Sequence, residues 1–236
     1  ARVTANHLLS LVNDVLDMSK MESGEINLAE EPFNLNDVLI ECREIVFGSG
    51  EAKGLSVIMK NTEPLEHPYV IGSPLHLKQI LMNIMSNAVK YNRPGGKIIG
   101  SADEVEVNDD TVTVRFTIED TGVGMSEEFQ KKMFEPFTQE NDTVRSEYNG
   151  TGLGMAIIKK LTDKMNGTIV VESKKNVGSK FIVTLPFKRD HEPQSRQNSD
   201  CADCDIRGVR LLLAEDNSLN SEIAKFLLEE NGAEVD

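Results

Sequence analysis

Apolar residues recur at three- and four-residue spacings over residues 4–22, where Leu8, Leu11, Val12, Val15, Met18 and Met21 line one side of a helix that Ser23-Gly24 ends. An apolar stripe of that length needs a partner, so the pattern predicts a bundle helix ahead of the main fold. The periodicity then alternates between helix and strand. It predicts a helix over 36–53, a strand over 55–60, and a helix over 74–91 that Ser73 should cap and Pro74 should open. Alternating strands over 97–107 and 111–119 flank Asn108-Asp109-Asp110, a turn sequence suited to a hairpin. A helix after Gly152 and strands over 168–172 and 180–185 complete an α+β arrangement, a mixed sheet with helices on one face.

Beyond this the chain becomes polar. Residues 188–207 offer almost nothing to bury and read as a flexible linker. Val209 to Ala214 then reads as a buried strand, Glu215-Asp216-Asn217 as a turn, and residues 219–230 as a helix ended by Asn231-Gly232. The expected divisions are 1–23, 24–187, 188–207 and 208–236. The last is shorter than the ~50 residues of a usual domain and is expected to be poorly ordered alone. The chain starts without Met and stops as an apolar segment begins, as expected of a piece of a longer protein.

Two glycine clusters carry the candidate chemistry. Asp120-Thr121-Gly122-Val123-Gly124 ends an alternating strand, where glycines let the backbone turn tightly beneath a flat ligand and a carboxylate can accept an adenine amino proton. Gly150-Thr151-Gly152-Leu153-Gly154 opens a helix bearing Ile157, Ile158 and Leu161, so backbone N–H groups and the helix dipole point at an anion. Either cluster alone is a weak signal. Upstream, Gln79, Asn83 and Asn87 recur every fourth residue on one helix face, against Leu77, Ile80, Leu81, Ile84 and Ala88 on the other. A merely solvated face would carry better helix formers than Asn. Amide oxygens on a rigid helix suit Mg2+, which keeps several waters beside nucleotide phosphates, and Lys90 continues the stripe towards a phosphate. Between the clusters, Phe134, Phe137, Gln139, Arg145 and Tyr148 lie in a segment over 134–149 that reads as a hinged lid over the nucleotide.

Composition narrows the partners. A formal net charge of -14 repels a polyanionic backbone, which argues against a broad nucleic-acid surface and leaves phosphate to be held in a local anion pocket. No apolar run reaches the ~20 residues of a bilayer span, so no membrane contact is expected from this stretch. The cysteines argue against a disulfide framework and fit a reducing cytoplasm: Cys42 sits in an amphipathic pattern and reads as core, while Cys201 and Cys204 form a lone C-x-x-C without a second ligand pair.

In order, Asn83/Asn87, Asp120-x-Gly122-x-Gly124, Phe134-x-x-Phe137, Gly150-x-Gly152-x-Gly154 and Gly178-Ser179-x-Phe181 resemble the N, G1, F, G2 and G3 boxes of sensor histidine kinases, over nearly all of residues 4–186. The resemblance implies a Bergerat-type two-layer α/β sandwich, shared with gyrase, heat-shock chaperone and mismatch-repair ATPases. It implies ATP and Mg2+ as cofactors, with Asn87 on the metal, Asp120 on adenine and a lid over 134–149. It gathers Asn83, Lys90, Tyr91, Met125, Thr151, Leu153, Met155 and Ser179 around the same nucleotide. The helix with Asn6-His7-Leu8-Leu9 and Asp14-Val15-Leu16-Asp17 resembles the second helix of the dimerisation and phosphotransfer hairpin. Residues 209–236 resemble the opening of a flavodoxin-like receiver, in which Glu215 and Asp216 would help hold a second Mg2+. The implied parent is a cytoplasmic hybrid kinase, free or anchored to the inner membrane. It would dimerise through the hairpin and pass phosphate to its own receiver and a downstream phosphorelay protein. None of His7, His67, His76 or His191 has the sequence context of the family's phosphoacceptor, and Gly72-Ser73 stands where the family usually has Gly-Asp. An ATP hydrolase of the same fold is the alternative, but its general-base Glu is replaced by Asn83, which cannot take a proton from water. A non-catalytic scaffold is the other, and the intact glycines oppose it.

Overall fold

A computed structural model of the chain describes residues 28–61, 63–140, 151–191 and 208–211, together with 225, 228–229 and 232–235. In order, the first unit contains β1 (Glu31–Asn34), α1 (Leu35–Glu51), β2 (Ser56–Met59), β3 (Tyr69–Gly72), α2 (Pro74–Lys90), β4 (Lys97–Val107), β5 (Thr111–Asp120), α3 (Glu127–Lys132), α4 (Gly154–Lys164), β6 (Thr168–Lys174) and β7 (Gly178–Arg189). The seven strands form one sheet in the order β1-β3-β7-β5-β4-β2, with β6 also paired to β7. Only β2 and β4 run parallel among these pairs, which makes the sheet mixed.

Strand alternation decides which face the helices cover. On β5, Val112, Val114, Phe116 and Ile118 are buried, and the register sets them opposite Phe187, Leu185, Val183 and Phe181 of β7, also buried. Residues two apart point to the same face, so these eight side chains form one apolar layer. Against it pack Leu77, Ile80, Leu81 and Ile84 of α2 and Ile157, Ile158 and Leu161 of α4, all buried. The other face carries Thr113, Thr117 and Thr184, half-exposed. This is the expected two-layer α/β sandwich.

Local chemistry fixes the joints. Asn108 Oδ1 accepts from the N–H groups of Asp110 (3.1 Å) and Thr111 (2.8 Å), closing the β4–β5 hairpin as its turn sequence predicts. Asn34 Oδ1 accepts from Asn36 N–H at 2.9 Å and starts α1. Cys42 is fully buried on α1, as expected of core, and burial pushes its thiol up to about 11.

Several expectations need correction. Ser73 precedes α2 in extended conformation, but its hydroxyl lies 2.7 Å from His76 Nδ1 and caps no backbone N–H. The last strand outruns its expected end: Lys188 and Arg189 pair with Ile71 and Val70 of β3 instead of opening a linker. The four-residue strands β1 and β3 and the six-residue α3 are absent from the sequence reading, being too short to show a period.

The chain separates into two compact units, parted after His191. In the second, β8 (Arg210–Leu211) pairs in parallel with β9 (Glu234–Val235), and Lys225, Leu228 and Glu229 are helical. The bundle helix over 4–22, Cys201, Cys204, Glu215 and Asp216 lie outside the described residues.

Candidate functional site

The amide stripe lies where its spacing predicts. Leu77, Ile80, Leu81, Ile84, Met85, Ala88 and Val89 bury one side of α2, while Asn83 and Asn87 are half-buried on another. That face looks across to the start of α4. Asn87 Nδ2 lies 3.8 Å from Met155 Sδ. A Cβ placed on Gly154 would meet nothing nearer than Asn83 Cγ and Oδ1, both at 4.0 Å. Leu153, ahead of α4, supplies no side-chain cap, and Thr151 Oγ1 accepts from Leu153 N–H at 3.1 Å to shape the preceding turn. An amino end without a side-chain cap, with space before it, is suited to an anion.

The first glycine turn is pressed against the other end of α2. Asp120 Oδ1 accepts from Gly122 N–H at 2.8 Å, and Tyr91 O accepts from Val123 N–H at 3.1 Å. A Cβ on Gly122 would stand 2.4 Å from Tyr91 O, and one on Gly124, at φ +62°, would stand 2.0 Å from Lys174 O. Both lie far inside contact distance, so backbone approach requires both glycines, and at Gly124 the left-handed dihedral angle adds to it. Lys90 Nζ lies 5.1 Å from the centre of the Tyr91 ring, and so stands at the same end of the helix.

The third glycine region closes the site from behind. Gly178 has φ +144°, and a Cβ there would stand 2.0 Å from Asp120 O. Ser179, opposite Asp120 in the β5–β7 register, is buried, with its hydroxyl 2.9 Å from Ser173 Oγ. Ser173 Oγ also accepts from Met125 N–H at 2.9 Å and donates to Gly178 O at 2.9 Å. One hydroxyl thus ties the two glycine turns together. Gln130 Nε2 adds bonds to Met125 O (3.1 Å) and Ser173 O (3.0 Å). Neither Ser173 nor Gln130 is conspicuous in sequence, since a lone polar residue on a strand or a short helix carries no periodic signal.

The aromatic pair behaves asymmetrically. Phe134 packs against the core, whereas Phe137 is 69% exposed and has φ +61°. A Cβ on Gly152, at φ +70°, would stand 2.8 Å from the carbonyl carbon of Phe137. The backbones at 137 and 152 therefore touch. Arg145, Tyr148 and Gly150 lie outside the described residues. Of the expected site residues, Asn83, Asn87 and Lys90 stand on α2 with Tyr91 just after it, and Asp120 ends β5 with Gly122, Gly124 and Met125 following. Thr151 and Leu153 precede α4, Gly154 and Met155 open it, and Ser179 is on β7.

The profile of the "Histidine kinase-, DNA gyrase B-, and HSP90-like ATPase" family matches residues 72–189. The sensor histidine kinase GacS of Pseudomonas protegens is 36% identical over 98% of the chain and 25% of its own length. The autoinducer 2 sensor kinase/phosphatase LuxQ of Vibrio parahaemolyticus is 35% identical over 100% of the chain and 28% of its own length. The chain thus spans about a quarter of the length of these curated relatives. Among solved structures, full-length ShkA in complex with AMPPNP superposes with a TM-score of 0.68 at 26% identity, covering 99% of the chain and 46% of ShkA. No helix among the described residues is long and apolar enough to cross a membrane.

Proposed function

Because the chain belongs to the family of histidine kinase-, DNA gyrase B- and HSP90-like ATPases, with sensor histidine kinases among its relatives, we propose that it binds Mg2+-ATP and donates the γ-phosphoryl to a histidine of a helical hairpin. The observation that carries this reading is the open face between α2 and α4: two half-buried amides on one side, a helix start without a side-chain cap on the other, and only Asn83 within 4.0 Å of the Gly154 position.

The donor set fits the metal. The Asn87 amide nitrogen lies against the Met155 sulfur, so its Oδ1 is the atom that would ligate a hard cation, and Asn83 supplies a second amide one turn earlier. Bound Mg2+ would neutralise charge developing on the phosphate oxygens. The chain's own residues do the rest. Lys90 adds a positive charge beside the phosphates, the amino end of α4 holds them, and Asp120 accepts from the adenine amino group while its Oδ1 keeps the Gly122 turn in shape. Tyr91, Met125, Leu153, Met155 and Ser179 wall the base and ribose, with Thr151 in the phosphate turn, and the 134–149 segment with Arg145 and Gly150 covers them. Catalysis is then largely positioning.

The hydrolase reading is weaker, because Asn83 occupies the place where a carboxylate would activate water. The wider proposal is a hybrid kinase that dimerises through the hairpin of which residues 1–23 form the second helix. Its linker runs to 207, and its receiver starts at 208 and uses Glu215 and Asp216 for a second Mg2+. It would pass phosphate to that receiver and a downstream phosphorelay protein, work in the cytoplasm, and be anchored, if at all, at the inner membrane.

The test is to add labelled ATP to the chain with a hairpin domain that carries an acceptor histidine, with and without Mg2+. Acid-labile label on the hairpin, dependent on Mg2+ and lost in Asn87→Ala, is expected. Saturable ATP binding that Asn87→Ala and chelation leave unchanged would remove the metal assignment. Release of inorganic phosphate without label on the hairpin would favour the hydrolase.

A further inference from the structure

Where β2 stops and β4 continues, a cavity of about 180 Å3 opens at the sheet edge, away from the glycine turns. Leu39 and Ile40 of α1, Leu81 and Met85 of α2, and Phe116 and Ile118 of β5 form its apolar wall. The sequence explains the opening. Gly100 and Ala102 of β4 sit opposite Ile118 and Phe116 in register, so two inward positions carry almost no side chain. Met59 fills the first, its sulfur 2.7 Å from where a Gly100 Cβ would stand. The space beside Ala102 stays unfilled. The pocket is open to solvent on its polar side, and its volume exceeds the roughly 150 Å3 that takes a benzene-sized guest.

The lip is polar and its charge is uneven. Arg43, Lys60 and Asn61 line it with a single lining acid, Glu63, while the Asp103 carboxylate just outside is occupied by the Asn61 amide and, at 3.1 Å, by the Ser101 hydroxyl. Lys78, Lys159, Lys180 and Lys188 each have a carboxylate partner. Arg43 and Lys60, among the described residues, have none, although the chain carries a net charge of -14. Two unpaired cations above an apolar pocket are a recognition pattern for one class of molecule: an apolar body with an anionic head.

We infer that this cavity is a second ligand site, for a small carboxylate with a single ring or a branched aliphatic body, its carboxylate between Arg43 and Lys60. The site does not depend on the proposed nucleotide chemistry. It does share a helix with it: Leu81 and Met85 face the cavity, while Asn83 and Asn87, two residues further on, face α4. An occupant therefore bears on the reverse side of the amide-bearing helix.

The probe is benzoate, titrated to about 20 mM into the full chain carrying 13C-methyl methionine, with benzyl alcohol and benzylamine as neutral and cationic controls. The Met59 and Met85 methyl resonances are expected to shift saturably with benzoate, with benzyl alcohol weaker and benzylamine weakest. Arg43→Glu, on the exposed side of α1, should leave Tm within about 1 °C and weaken benzoate about tenfold. Ala102→Leu should fill the space and abolish the shifts. ADP should leave benzoate bound. Absent or non-saturating shifts at both methionines, benzylamine binding as well as benzoate, or displacement by ADP would each overturn the assignment.

Discussion

Gly124 and Gly154 come from the same kind of motif, yet their surroundings predict opposite responses to alanine. At Gly124 the backbone has φ +62°, and a Cβ would stand 2.0 Å from Lys174 O and 2.7 Å from its carbon. The left-handed backbone costs an ordinary residue roughly 1–2 kcal/mol, and shifting a main chain to relieve overpacking adds about 1–3 kcal/mol. Gly124→Ala should therefore lose about 2–5 kcal/mol, lowering Tm by roughly 4–20 °C in a domain of this size. Gly154 opens α4, and its added methyl would find nothing closer than Asn83 at 4.0 Å. Alanine is the better helix residue by about 0.5–1 kcal/mol, so Gly154→Ala should leave Tm unchanged or raise it by about 1–4 °C. That methyl would nevertheless occupy the space between Asn83 and the start of α4, where the phosphates are proposed to lie. Nucleotide affinity should fall about tenfold or more. Calorimetry gives the first quantity and titration of a fluorescent ATP analogue the second. If Gly154→Ala lowers Tm as much as Gly124→Ala, the fold itself requires that glycine; if it is stable and binds nucleotide normally, the phosphate cradle is elsewhere.

Asp120→Asn keeps an oxygen for Gly122 N–H, so urea stability should hold while ATP affinity falls about 10–100-fold and GTP affinity changes little; equal changes for both nucleotides would defeat the adenine role. Ser173→Ala leaves Met125 N–H and the Ser179 hydroxyl without this partner, and should cost about 2 kcal/mol in urea unfolding; an unchanged midpoint would contradict its bridging role. Cys42 supplies a pH dependence. Its thiol, raised from 9.0 to about 11, stays protonated in the folded chain while the unfolded chain releases the proton, so its contribution is complete below pH 9 and declines as pH rises to 11. The shift corresponds to at most about 2.7 kcal/mol. The stability difference between the native chain and Cys42→Ala should shrink over that window, and a difference that stays flat would refute the burial argument.

The recurring patterns of the chain determined much of the fold by themselves. The α2 stripe, the β4–β5 alternation and the Asn108 turn are local, and each forms within a few residues of where its spacing places it. The glycine clusters and the two asparagines were legible for the same reason: unusual residues in a short window leave a mark that needs no partner to be read. Tertiary structure decided what those marks meet. Gly178 is needed because β7 brings it onto Asp120, Gly122 because it meets Tyr91, and Gly152 because it touches Phe137. The Ser173 bridge exists only once the β6–β7 hairpin lies under the Gly124 turn. The Ser73 hydroxyl shows the limit of a local rule, since a neighbouring imidazole took the bond that a capping preference assigns to the backbone. The cavity beside Ala102 was also invisible in sequence, because a small inward residue leaves a hole only if Met59, Met85 and Phe116 do not fill it. Periodicity specifies which face a residue takes, whereas close backbone approach and unfilled volume depend on which distant segments the sheet register brings together.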